Sequence, residues 1–107
     1  MILGNIAMET LTFEFAAGQT PQKSALVGCV GSGDLEILME PNISDHKTTI
    51  KVVTSVDGSQ QRWKNLFERI FTLHCPPAVK IDIHDFGATP GVVRLRLEQA
   101  FEEVSGE

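Results

Sequence analysis

The sequence predicts an α+β fold, a mainly antiparallel sheet of about five strands with two helices packed on one face. Three observations predict it. The chain has 107 residues, 42% hydrophobic and 21% charged, which suits one globular core and leaves no room for a second. Several short segments alternate apolar and polar residues with period two, as half-buried strands do. Two longer segments instead repeat apolar residues at three- and four-residue steps, the spacing of amphipathic helices.

The first strand is read from Leu11, Phe13 and Phe15 opposed to Thr12 and Glu14, and it ends at Ala17-Gly18. After a polar loop containing Pro21, the apolar run Ala25 to Val30 predicts a buried strand whose Gly28 permits a bulge or close approach. Leu35, Ile37 and Met39 alternate with Asp34, Glu36 and Glu40 until Pro41-Asn42, so these two strands form a hairpin around Gly31-Ser32-Gly33. Lys47 to Thr54 is β-branched and strand-forming, with apolar residues on both faces, so its core face is open from sequence. Trp63, Leu66, Phe67, Ile70 and Phe71 predict a helix from about Ser59, capped by Asp57 or Ser59 and ended by Pro76-Pro77. Val79, Ile81 and Ile83 alternate with Lys80, Asp82 and His84 in a further strand closing at Phe86-Gly87. The last segment fits two periods, since Val93, Leu95 and Leu97 alternate while Val93, Leu97, Ala100, Phe101 and Val104 form a helical stripe. Its length, with Thr89 as cap and Pro90 at the first position, favours helix. Residues 1–7 precede a second methionine, Met8, and are read as an extra N-terminal segment, with residues 8–107 as the domain.

Nine Lys and Arg against fourteen Asp and Glu give a formal charge of −5, which disfavours phosphate backbones and anionic lipid, so neither nucleic acid nor membrane is an expected partner. Two cysteines, Cys29 and Cys75, widely spaced, make neither a disulfide framework nor a zinc site, and a reducing cytoplasm is the expected location.

Gly31-Ser32-Gly33 is the most unusual local feature, because two glycines strip side-chain cover from the serine hydroxyl. An ordinary tight turn gives the same tripeptide. It does not fit a nucleophile elbow, since Val30 and Asp34 stand where that motif needs glycine, and it does not open a helix as a dinucleotide loop does. A serine hydrolase would need His46, His74 or His84 to reach Ser32, and sequence places none of them there. Asp82, His84 and Asp85 form a polar group read as a solvated strand face, and no metal site is assigned. Trp63 and the phenylalanines read as core.

Three stretches, Met8-Glu9-Thr10-Leu11-Thr12-Phe13-Glu14-Phe15, Val30-Gly31-Ser32-Gly33-Asp34-Leu35-Glu36-Ile37-Leu38 and Gly87-Ala88-Thr89-Pro90-Gly91-Val92-Val93-Arg94-Leu95-Arg96-Leu97, carry a resemblance to the acyl carrier (delta) subunit of malonate decarboxylase. More distantly the sequence is similar to the acyl carrier subunit of citrate lyase. The resemblance implies that Ser32, between Gly31 and Gly33, covalently carries a 2'-(5''-phosphoribosyl)-3'-dephospho-CoA group, and that the chain itself has no catalytic residue. The glycines would let a modifying enzyme reach the hydroxyl, and their amides could bond the attached phosphate, opposed by Asp34. The arm's terminal thiol would hold acetyl and malonyl groups as thioesters. The resemblance further implies as partners an acetyl-S-ACP:malonate ACP transferase subunit, malonyl-S-ACP carboxy-lyase subunits, a prosthetic-group transferase and a malonyl-CoA:ACP transacylase. Asp34, Glu36 and Glu40 are docking candidates by proximity alone. The competing expectations are a citrate lyase carrier, a small serine-dependent hydrolase using Ser32 and His84, and an interaction module in which the glycine-flanked turn is only a turn.

Overall fold

Alternation along Glu9–Ala16 puts Leu11, Phe13 and Phe15 inward and Thr10, Thr12 and Glu14 outward, and the same sorting organises every strand. The computed structural model describes residues 8–21, 23–28, 35–44, 46–55, 58–73 and 76–105. In chain order the elements are β1 (Glu9–Ala16), β2 (Ala25–Gly28), β3 (Leu35–Pro41), β4 (Lys47–Thr54), α1 (Gln60–Leu73), β5 (Val79–Asp85) and α2 (Pro90–Ser105). The expected α+β sheet with two helices is what forms, in the order β1-β4-β5-β3-β2. Three of its pairings are antiparallel, including the β2–β3 hairpin, while β4 and β5 are parallel. A parallel pair needs a crossover, and α1 supplies it.

The face of β4 left open by sequence is settled by parity: Thr48, Ile50, Val52 and Thr54 point inward. The two threonines at its ends are satisfied there. Thr48 Oγ1 donates to the Pro77 carbonyl at 2.7 Å, and Thr54 Oγ1 donates to Asp85 Oδ2 at 2.8 Å. Trp63, Phe67 and Ile70 bring the buried stripe of α1 onto the sheet, and Phe67 meets the Phe13 ring edge-on at 5.3 Å. Val93, Leu97, Ala100 and Val104 do the same for α2, which lies over β2 and β3. The helix period therefore wins in this last element, and Leu95, inward on a strand reading, is 51% exposed. Phe71 and Phe101 join the two helices at 6.0 Å.

The opposite sheet face carries no helix among the described residues, and it holds Thr12, Lys51, Asp82 and Leu38 in one cross-strand row. No described helix is long and apolar enough to cross a membrane.

Candidate functional site

Five chain segments meet at one end of the sheet. There β1 begins, β4 and β5 end, β2 stops at Gly28 and β3 starts at Leu35; both helices also begin there, directly after β4 and β5. Register ties the β2–β3 connection to this end twice, because Gly28 pairs with Glu36 and Leu35 pairs with Asp85. Asp85 in turn pairs with Thr54, and Thr54 with Glu9, so one row crosses the sheet beneath the helix starts.

Asp85 organises this end. It shares the parity of Val79, Ile81 and Ile83, so its carboxylate turns into the core side and is only 3% exposed. A buried carboxylate has to be bonded, and this one accepts from the Thr54 hydroxyl at 2.8 Å and from the Gly87 and Ala88 amides at 3.0 and 2.9 Å. Those bonds fold the chain back after β5 and aim it into α2. Gly87, at φ +102°, supplies a left-handed backbone that a side chain would resist. Thr89 then caps α2, its Oγ1 accepting from the Val92 amide at 3.3 Å, as expected for a cap followed by proline at the first position. At the other helix, the Ser59 carbonyl accepts the Trp63 amide at 3.0 Å, which makes Ser59 the cap residue; Asp57 lies outside the described residues.

Between the two helix starts lies a cleft of about 190 Å3 lined by Arg62, Trp63 and Leu66 of α1, Asp85, Gly87 and Ala88 of the turn, and Pro90 and Val93 of α2. Its charged lining residues are Asp85 at the strand end and Arg62 near the start of α1. Neither helix has an acidic residue in its first turn.

Gly31, Ser32, Gly33 and Asp34 lie outside the described residues, as do Cys29, His74 and Cys75. What the structure fixes is the two anchors of that connection, Gly28 and Leu35. His84 is exposed on the open sheet face beside Glu36, its register partner, and hence in the same cross-strand row as Gly28 at the β2 end. His46 sits in the β3–β4 turn at φ +52°, at the far end of the sheet, where β3 has run its 7 residues away from Leu35. Of the docking candidates, Glu36 is half-buried and Glu40 exposed on the open face. Asp82 and His84 share that face, but Asp85 does not, so the three do not form one cluster; among the described residues no group of His, Cys, Asp and Glu is arranged to hold a metal. The sequence reading missed the structural part played by Asp85. The available signal was a carboxylate in phase with three buried apolar residues.

Residues 22–104 match the family model described as the malonate decarboxylase delta subunit (MdcD), a match that spans the β2–β3 connection. The chain belongs to this family of acyl carrier proteins. It is 69% identical over 97 residues to the malonate decarboxylase acyl carrier protein of Pseudomonas fluorescens (strain SBW25), covering 91% of this chain and 97% of that one. The acyl carrier protein of the same name from Azotobacter vinelandii is 66% identical over 98 residues, covering 92% of this chain and 98% of the relative. Among solved structures, a chain of a Pseudomonas malonate decarboxylase hetero-tetramer in complex with malonate superposes with a TM-score of 0.84 at 67% identity, over 90% of this chain and 98% of that one.

Proposed function

We propose that this chain is the acyl carrier subunit of a malonate decarboxylase and that Ser32 Oγ bears a phosphoribosyl dephospho-CoA arm through a phosphodiester. The observation that carries the proposal is the family match over residues 22–104, a range that contains the glycine-flanked serine. The residues around the turn's anchors suit such a group. Gly87, beside Asp85, is exposed and has open space where a side chain would project. Arg62 brings a cation to the same end, and it makes no ion pair with any described residue. When bound, the arm supplies a terminal thiol that holds acyl groups as thioesters, whose carbonyl can take up the charge left by departing carbon dioxide.

The chain's own contribution is mechanical. The cross-strand row from Glu9 to Leu35 and the bonds of Asp85 hold the ends of the hairpin on a rigid sheet, so the modified residue is presented from a fixed base. A tether of this kind raises the local concentration of its cargo at a docked partner into the millimolar range, so weak contacts suffice. The partners in this reading are the transferase and carboxy-lyase subunits of the complex and the enzyme that attaches the arm.

Coexpression with the attaching transferase, followed by intact-mass measurement, tests the assignment. The wild-type chain is expected to gain the mass of the arm and Ser32→Ala to gain none. A Ser32→Ala chain that still gains mass moves the site, and labelling of Ser32 by a fluorophosphonate would point to hydrolase chemistry instead.

A further inference from the structure

We propose that the cleft between the starts of α1 and α2 seats the purine of the nucleotide carried by this chain, with Arg62 facing the phosphates at its rim. The proposal rests on the carrier reading above. Position 32 is three residue steps from Leu35, a span of at most about 11 Å of extended chain. Leu35 is the register partner of Asp85, which lines the cleft. A group attached at position 32 therefore starts within reach of this cleft.

Size and lining select the fragment. At about 190 Å3 the cleft is smaller than the roughly 300–1,000 Å3 of pockets that enclose whole ligands, so it suits a ring rather than a full nucleotide. Leu66, Ala88 and Pro90 offer apolar walls for a flat base, and Trp63, 6% exposed, adds a small aromatic surface. Charge then sets the orientation. Asp85 lies at the inner end, its carboxylate already committed to Thr54, Gly87 and Ala88, and it repels phosphate. Arg62, exposed and without an ion-pair partner among the described residues, attracts it. The neutral base goes in and the phosphates stay out.

Two other cavities lined by described residues do not compete on position. A larger depression lies over the middle of the open sheet face between Thr12, Lys51 and Asp82. A third, beside Pro77 and Val104, is at the end of the molecule where α2 finishes. Neither adjoins the anchors of the serine-bearing connection.

Trp63, which lines the cleft, is the chain's single tryptophan, so the emission has one source. The test compares loaded and unloaded chain, each verified by intact mass, in emission and in the 15N–1H shifts of Gly87, Ala88 and Gly91. Loading is expected to quench Trp63 about twofold or more through contact with the base and to move those three amides. Arg62→Glu, at an exposed position that leaves the fold intact, is expected to load to the same mass while recovering most of the emission. Free dephospho-CoA is expected to reproduce the shifts on unloaded chain only at about millimolar concentration, the range in which a tether makes weak contacts count. Full mass gain with unchanged emission and unmoved amides overturns the seat while leaving the carrier reading in place. Absence of any mass gain removes both.

Discussion

Replacing Asp85 separates its charge from its hydrogen bonds. The carboxylate is 3% exposed and accepts three bonds, two from the backbone amides that turn the chain into α2 and one from the Thr54 hydroxyl. Bonds to a charged acceptor contribute about 1.5–3 kcal/mol each, and an orphaned buried donor costs a further share. The Gly87 and Ala88 amides lie near the surface and recover some hydration, so Asp85→Ala is expected to destabilise by about 3–5 kcal/mol. Asp85→Asn keeps one oxygen for both amides and turns its NH2 toward the Thr54 oxygen, which has lone pairs to accept. It is expected to cost about 1 kcal/mol. At roughly 4–8 °C per kcal/mol for a domain of this size, the alanine variant should melt at least about 12 °C lower. Urea unfolding followed by Trp63 fluorescence measures both, with an unchanged slope required for the comparison. Equal losses for the two variants, or an alanine variant within about 1 kcal/mol of wild type, would refute the assignment of these bonds as the anchor of the site end.

Phe67→Ala is expected to cost about 3–5 kcal/mol, since this ring is fully buried and touches Phe13, Phe15, Trp63 and Phe71; calorimetry checks it. Gly87→Ala should lose about 1–2 kcal/mol through backbone conformation alone, because φ is +102° and the added methyl meets open space; Gly91→Ala, open but helical, serves as the control and should be neutral or stabilising in the same melt. Asn42→Leu should destabilise by about 2–3 kcal/mol, because this buried side chain donates to the Lys47 carbonyl at 2.9 Å and accepts from the Ser44 hydroxyl at 3.2 Å, shaping the turn at the far end of the sheet.

The strands were legible because a period of two survives wherever one face is buried and the other is not. Leu11, Phe13 and Phe15, or Leu35, Ile37 and Met39, need no tertiary information to declare their side. In β4 the rule ran out because Val53 is apolar yet outward while Thr48 and Thr54 are polar yet inward, each of the threonines redeemed by a partner 29 or 31 residues away in sequence. Long-range hydrogen bonds of this kind leave no local trace. The final helix was decided correctly by its cap and first-turn proline, and Arg94 and Glu98, 3.2 Å apart at a four-residue step, lie on its solvent side. The sheet end as a site was not legible, because the meeting of Gly28, Leu35, Asp85 and both helix starts depends on the strand order. Glu9, in phase with Leu11, carries a buried Oε1 with no hydrogen-bond partner among the described residues, a second polar group that alternation alone would have placed among apolar neighbours.

The most direct measurement is a peptide mass map of this chain purified from cells that express the whole decarboxylase system. The account predicts that the peptide containing Ser32 carries the arm and that every other serine peptide is unmodified. A complete map in which that peptide has only its amino-acid mass, from a preparation that decarboxylates malonate, would contradict it.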